Sequence, residues 1–113
     1  MIEFIDVQSV TIPLKPEPML IRIVRMTFDP DKVEDFQKIF EESREKIRAR
    51  EGCLHLELWR DLDQTNVFVT HSHWKSEEDL NAYRASEFFR TTWKKTKALF
   101  SDRALAFSVT NQV

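Results

Sequence analysis

Apolar residues follow a strand-like pattern in four parts of the chain. The run MLIRIVRMTF at residues 19–28 is largely apolar and β-branched and follows a proline-rich stretch, so we expect a first strand there. Residues 53–59 alternate leucine with other side chains, and residues 66–74 again favour a strand, which predicts a hairpin around the polar segment between them. Residues 104–110 predict the last strand.

Helix signals lie between these strands. Asp29, Pro30 and Asp31 supply an N-cap, a proline in the first turn and an acid beside it. A helix beginning there places one apolar stripe on a single face and is expected to end at Gly52; the stripe comprises Val33, Phe36, Ile39, Phe40, Ser43 and Ile47. A Ser76 and Asp79 capping box predicts a short helix through Tyr83, and Ser86 with Glu87 begins another.

This order of elements predicts an α+β fold of the ferredoxin-like, split βαβ kind, a four-stranded antiparallel sheet with helices on one face. The uncovered face would expose apolar side chains, so we expect a second copy of the chain to close it and form a dimeric α+β barrel, a homodimer. The domain is expected to span residues 19–113. Residues 1–18 carry too many apolar groups for a simple tail and predict an extra strand or an arm across the partner.

Composition excludes several classes of function. The 113 residues carry a net charge of -2, so no overall positive field favours nucleic acid or an anionic membrane as a partner. Gly52 is the single glycine, which excludes the glycine-rich loops of Walker and Rossmann nucleotide sites. Cys53 is the single cysteine, so we expect a buried, inert thiol in a reducing compartment, and the N-terminal residues resemble no signal peptide. A cytoplasmic protein is the simplest expectation.

Two segments resemble the antibiotic biosynthesis monooxygenase family: REGCLHLELWRD at residues 50–61 and HWKSEEDLNAYRASEFF at residues 73–89. The resemblance covers roughly residues 19–110. It implies a small homodimer and, as in several members, an oxygenation of aromatic, quinol-like or polycyclic substrates that needs no cofactor. Such chemistry requires an apolar pocket, a base that removes a substrate proton, and a donor for the resulting oxyanion. The alternative is a binding or sensing module that keeps the fold and its pocket without chemistry.

The resemblance also points to pocket residues. Trp74 matches the tryptophan of the family, and strand alternation sends Phe68, Thr70 and Ser72 to its side of the sheet. Trp93 and Tyr83 are expected to complete the substrate-binding set, with the Tyr83 hydroxyl as a candidate donor. Trp74 could equally be core packing between sheet and helix.

This chain also departs from the family pattern. Ser72 stands where members often carry an acid, which weakens any carboxylate role at that position. The haem-degrading branch uses an asparagine, a tryptophan and a histidine, and the corresponding positions here are Val24, Trp74 and Trp93. Only the tryptophan is kept, so a haem cofactor is not expected.

The titratable candidates lie on the strands. His71 and His73 leave one face of their strand, whereas the side taken by His55 depends on a hairpin register that the sequence leaves open. The histidines could be metal ligands, for which the signal is weak and no metal is predicted, or polar groups at a dimer-facing surface. One of the three could instead be a general base, and we name His55 and His71 as the catalytic candidates. Glu57 is a lesser candidate for the base. Arg22 either anchors a substrate anion or forms a salt bridge or exposed edge position.

Overall fold

The computed structural model describes residues 19–112; the N-terminal extension predicted for residues 1–18 and the last residue lie outside them. The described residues form four strands, three α-helices and one short 3₁₀ turn. In chain order these are β1 (Leu20–Thr27), the 3₁₀ turn (Pro30–Lys32), α1 (Val33–Arg48), β2 (Cys53–Arg60), β3 (Val67–Trp74), α2 (Glu77–Arg84), α3 (Glu87–Lys97) and β4 (Leu105–Thr110).

The strands form one sheet in the order β2–β3–β1–β4, and every neighbouring pair is antiparallel. The helices cover one face of this sheet. This arrangement confirms the predicted ferredoxin-like α+β fold, because the strands and helices follow one another along the chain in the order that the sequence predicted. The two faces of the sheet therefore have different surroundings, and each carries its own chemistry.

Side-chain caps begin the helices at the predicted residues. Asp29 accepts a hydrogen bond from the backbone N–H of Asp31 at 3.0 Å and opens the 3₁₀ turn that leads into α1. Ser76 caps α2 by accepting from the N–H of Asp79, and Ser86 caps α3 in the same way, each at 3.1 Å. A serine or aspartate cap satisfies an N–H group that has no partner inside its helix, and it stabilises the helix by about 1 kcal/mol.

The predicted end of α1 at Gly52 is wrong. The helix ends at Arg48, and Ala49 is its right-handed C-cap, donating to helix carbonyls. Gly52 adopts a φ of 84° in the turn that leads into β2, and a Cβ atom there would collide with the side chain of Asp79. The glycine is thus needed for the close approach of this turn to α2, not for the helix terminus.

The β2–β3 hairpin fixes which residues share a face. The N–H of Asp61 donates to the carbonyl of Val67 at 2.9 Å, so the loop is longer than a two-residue turn. His55 lies opposite His73, and the register shifts between Cys53 and His55 in the manner of a β-bulge. The bulge puts Leu54 out of phase with the leucines that follow, and its side chain is 59% exposed.

Aromatic side chains dominate the core between the sheet and the helices. Phe28 from the end of β1 stacks on Phe36 of α1 with ring centroids 4.1 Å apart, and Phe68 of β3 packs against both. Met26 completes this cluster, in which every member is at most 3% exposed. Burying each such side chain contributes roughly 1.5–3 kcal/mol, so the cluster holds α1 against the sheet.

The other sheet face is uncovered within one chain. Its outermost strand, β4, exposes three large apolar side chains on that side: Leu105 at 60%, Phe107 at 47% and Val109 at 44%. An apolar surface of this kind is costly in water. We refer to this side of the sheet as the open face. Among residues 19–112, no helix combines the length and the apolarity that crossing a membrane requires.

Candidate functional site

A cavity of about 110 Å³ lies between the helix-covered face of the sheet and helices α1 and α3. Most of its wall is apolar, and the apolar residues are Val24, Met26, Phe36, Ile39, Phe40, Ile47, Leu56, Phe89 and Trp93. Six hydroxyl-bearing residues interrupt this wall: Ser43, Thr70, Ser72, Tyr83, Thr92 and Thr96. A mainly apolar wall with a few hydroxyl groups is the kind of lining that small-molecule sites have.

Two of the hydroxyl groups are already used inside their own helices. Ser43 Oγ donates to the carbonyl of Ile39 at 2.7 Å, and Thr96 Oγ1 donates to the carbonyl of Thr92 at 2.8 Å. Such bonds let a polar residue occupy an apolar helix face. They leave the hydroxyl groups of other wall residues, Tyr83 above all, as the groups that can donate to a ligand.

Tyr83 is held in place by aromatic neighbours. Its ring stacks on Trp74 with centroids 5.1 Å apart and meets the ring of Phe89 edge to face at 5.0 Å. Burial, and next the nearby Cys53, raise the pKa of Tyr83 well above its ordinary value. The phenol therefore stays protonated at neutral pH and is a hydrogen-bond donor at the cavity.

Trp74 supports the cavity from behind instead of lining it. The residue is 1% exposed, and its indole Nε1 donates to Ser72 Oγ at 3.0 Å. Phe68 likewise belongs to the aromatic core below the cavity. Of the predicted substrate-binding set, Thr70, Ser72, Tyr83 and Trp93 lie at the cavity wall, and Trp74 and Phe68 lie in the packing that holds it.

Arg22 lies on the helix-covered side of β1, opposite Ser72, on the predicted side of the sheet. Its Nη1 donates to Ser108 Oγ at 3.1 Å. Burial, and next the positive charge of Arg84, lower the pKa of Arg22. The guanidinium is not part of the cavity wall. Its role as an anion anchor stays a prediction.

The three histidines meet on the open face, on the opposite side of the sheet from the cavity. His55 and His71 flank Glu57, with His55 Nε2 3.1 Å from Glu57 Oε2 and His71 Nδ1 3.8 Å from Glu57 Oε1. His73 Nε2 lies 3.2 Å from His71 Nε2. The sheet thus separates His55 and His71 from the cavity, and this placement does not support the base role predicted for them there.

Glu57 receives two hydrogen bonds in this group. Trp59 Nε1 donates to Glu57 Oε1 at 2.8 Å, and the Trp59 ring stacks on His71 with centroids 4.4 Å apart. The hydrogen bonds from Trp59 and then His55 lower the pKa of the Glu57 carboxyl. Glu57 is therefore a carboxylate at neutral pH, surrounded by imidazole rings.

The antibiotic biosynthesis monooxygenase family model matches residues 19–95, more than half of the chain. The chain belongs to the antibiotic biosynthesis monooxygenase family. The matched segment contains His55, Glu57, His71 and every residue of the cavity wall except Thr96; β4 lies outside it. A search of curated protein sequences found no match.

Solved structures share this fold. A conserved protein from Methanosarcina mazei Go1 superposes with a TM-score of 0.80 at 16% identity, covering 84% of this chain and 94% of that one. A protein of Nitrosomonas europaea, provisionally named an antibiotic biosynthesis monooxygenase, gives 0.79 at 16% identity, covering 89% and 96%. A further antibiotic biosynthesis monooxygenase gives 0.77 at 21% identity, covering 83% and 98%. At these identities the likeness shows the fold alone.

Sequence reasoning left several wall residues of this family member without a site role. Ser43, Thr92 and Thr96 appear in the sequence as small polar positions within the apolar stripes of α1 and α3. That interruption is the signal that could have identified them, because a helix face that packs directly on a sheet has little reason to carry hydroxyl groups. Short side chains at these positions leave the space that the cavity occupies.

Proposed function

We propose that this protein is a cofactor-independent monooxygenase acting on a small aromatic, quinol or polycyclic substrate in the cavity between the sheet and the helices. The observation that supports this function is the apolar cavity, found in a chain of this family, with the protonated Tyr83 hydroxyl at its wall. Flat rings of Trp93 and Phe89, stacked with centroids 5.9 Å apart, supply a surface on which an aromatic substrate can pack.

The proposed reaction begins with an electron-rich substrate such as an anthrone. Loss of a proton from its reactive carbon leaves an anion whose charge is shared with the carbonyl oxygen of the anthrone. This anion then reduces O₂. A peroxide forms at the carbon and then loses water, so one oxygen atom of O₂ stays in the product as a carbonyl and the other leaves as water. Tyr83 would donate a hydrogen bond to the substrate oxygen that carries the negative charge and stabilise it.

The cavity wall constrains the substrate class. Among the described residues, neither a carboxylate nor an imidazole lines the cavity. A substrate that depends on a strong protein base would therefore ionise slowly there. We propose that the substrate's own proton is acidic enough to leave to water or buffer, which favours anthrones and quinols over hydrocarbons.

We also propose that the protein works as a homodimer in which two open faces pack against each other. The exposed Leu105, Phe107 and Val109 support this arrangement, because they form a row along β4. A row of large apolar side chains on a sheet face is typical of an interface between copies. The single cysteine fits a reducing compartment, and we place the protein in the cytoplasm.

The second candidate function is a binding or sensing module of the same fold. The same absence of a carboxylate or imidazole from the described cavity wall favours it, since binding needs no base. Such a module would hold the ligand in the cavity and leave O₂ unconsumed.

Oxygen uptake separates the two functions. The protein is mixed with a panel of anthrones and quinols, without added metal or flavin, and O₂ consumption is compared with the spontaneous rate. The cavity-filling variant Thr92→Leu is paired with Thr91→Leu, because Thr92 lines the cavity and Thr91 is exposed on the same helix. The monooxygenase predicts accelerated uptake that Thr92→Leu abolishes and Thr91→Leu leaves unchanged.

Ligand binding by fluorescence or calorimetry with the same pair completes the experiment. Binding that Thr92→Leu removes, without any uptake above the spontaneous rate, supports the module and contradicts the monooxygenase. Uptake that is equally fast in both variants contradicts the cavity as the site.

A further inference from the structure

The open face carries a compact group of metal-ligating side chains that the proposed oxygenation does not use. His55, Glu57 and His71 each offer one ligand atom, and these atoms all lie within 4.8 Å of one another. The group is formed by the β2–β3 hairpin, where Glu57 lies directly opposite His71 and His55 lies two residues before Glu57. Two neighbouring antiparallel strands thus hold all three side chains on one surface.

We propose that His55, Glu57 and His71 form a binding site for a divalent transition-metal ion, with zinc as the preferred metal. Two imidazoles and one carboxylate are a donor set that zinc accepts, with the fourth position left to water or to a donor from a second copy packed on the open face. Calcium and magnesium prefer sets made of oxygen atoms, so the two imidazole ligands disfavour them.

Two distances in the group, each to a different oxygen of Glu57, lie on either side of the spacing that a tetrahedral ion requires, and the whole set spans up to 4.8 Å. Ligand atoms at about 2.0–2.2 Å from zinc lie roughly 3.4 Å from each other. His55 Nε2 lies 3.1 Å from Glu57 Oε2, and His71 Nδ1 lies 3.8 Å from Glu57 Oε1. We therefore expect the three side chains to rotate towards one another when an ion binds, from positions that the paired strands already place on one surface.

His71 presents a ring nitrogen that lacks a hydrogen-bond partner among the described residues. Its Nδ1 atom is buried and unbonded, and it points towards Glu57 at a distance too long for a hydrogen bond. Buried polar atoms are nearly always satisfied, so a nitrogen left open towards a carboxylate calls for a proton or a cation between the two. A metal ion would satisfy both groups.

Neighbouring side chains fix the ligands as the outer partners of metal sites do. Trp59 Nε1 donates to one oxygen of Glu57 and leaves the other oxygen beside His55. His73 Nε2 contacts His71 Nε2 at 3.2 Å, which can hold the His71 proton on Nε2 and leave Nδ1 free to bind metal. The carboxylate and imidazole thus have the orienting contacts that a metal site needs.

Calorimetric titration with Zn²⁺ alone tests the site. The full chain, made without a histidine tag and stripped of metal with a chelator, is titrated in a buffer that does not bind zinc. We expect one ion per chain and loss of this binding in both Glu57→Gln and His55→Gln. Glu51→Gln, which changes an exposed acid outside the group, should bind as the unchanged protein does.

A further variant weakens zinc binding without removing a ligand, and circular dichroism shows whether it stays folded. Trp59→Phe removes the Nε1 donor to Glu57 while keeping a ring that can stack on His71, and we expect zinc affinity to fall about 10- to 100-fold. Circular dichroism should show all variants folded. Co²⁺ in place of Zn²⁺ should give the intense visible absorption of a tetrahedral ion.

Three results would overturn the proposal. They are the absence of zinc binding by the folded, unchanged protein, zinc binding that survives Glu57→Gln, and the weak visible absorption bands of six-coordinate Co²⁺. The site lies across the sheet from the cavity, so its failure leaves the proposed oxygenation untouched, and the reverse also holds.

Discussion

The indole of Trp74 donates a hydrogen bond to the hydroxyl of Ser72 at 3.0 Å, and both residues are buried under the helices. The two residues are neighbours on the helix-covered side of β3. Because Ser72 also lines the cavity and Trp74 stacks on Tyr83, this bond connects the cavity wall to the packing behind it.

Removing this bond should destabilise the fold. Ser72→Ala leaves the Trp74 N–H buried without its acceptor, and we expect the free energy of unfolding to fall by about 1–3 kcal/mol, measured by urea denaturation. Trp74→Phe removes the donor instead. In the double variant Ser72→Ala/Trp74→Phe, the loss should be smaller than the sum of the two single losses. Strict additivity would show that the bond contributes nothing.

Tyr83 should resist ionisation in alkaline solution. It is the single tyrosine of the chain, so tyrosinate absorbance in the near ultraviolet reports on it alone. Burial raises its pKa above the ordinary value of 10.0, and we therefore expect no tyrosinate signal at that pH while the protein stays folded. A signal that appears at the ordinary pKa in the folded protein would place the hydroxyl in water.

The same shift makes stability depend on pH. Above pH 10.0 the unfolded chain loses the Tyr83 proton while the folded chain keeps it, so the unfolded state is favoured increasingly as the pH rises. Tyr83→Phe removes the titrating group and should reduce this alkaline loss of stability. Urea denaturation of both proteins on either side of that pH measures the difference.

Charge on the open face should break the proposed dimer. Phe107→Glu places a carboxylate in the exposed apolar row of β4, where a second copy would bury it, and we expect a monomer by light scattering. Leu62→Glu is the control, because Leu62 is 94% exposed in the β2–β3 loop, away from that row. An unchanged protein that is already monomeric would contradict the dimer, as would a Phe107→Glu dimer of undiminished stability.

A side chain at Gly52 should be costly. Gly52→Ala forces an L residue into a φ of 84° and drives its Cβ atom against Asp79. The backbone term alone is about 1–2 kcal/mol, so we expect at least that loss of unfolding free energy in urea. Asp79 also belongs to the cap of α2, and amide exchange at the start of that helix should therefore become faster. An unchanged unfolding midpoint would contradict this account of the turn.

Local chemistry explains how much of the fold the sequence predicted. Asp29, Ser76 and Ser86 are caps whose effect depends on the next three residues only, so the starts of the helices could be predicted from the sequence. Gly52 misled the prediction because a glycine after a helix is typical of a C-cap. Here the glycine has a positive φ in the turn before β2 and lies too close to Asp79, far along the chain, to carry a Cβ atom.

The functional sites were less predictable, because they depend on register and on space. A bulge after Cys53 moves His55 to the open face, and the loop that sets the register offers no short turn motif. The cavity arises where Thr92 and Thr96 are too short to fill the gap between α3 and the sheet. Trp74 was expected at the wall from family resemblance, but its hydrogen bond to Ser72 places it behind.

Isotopically labelled dioxygen shows whether the protein inserts an oxygen atom of O₂ into its substrate. An anthrone is turned over under labelled O₂ by the unchanged protein, by Thr92→Leu and by Thr91→Leu. The mass of the product is measured by mass spectrometry. We expect a single labelled oxygen atom per product molecule, formed faster than without protein, with the acceleration lost only in Thr92→Leu. Product formed no faster than in buffer alone, by a protein that still binds the anthrone, would contradict the monooxygenase.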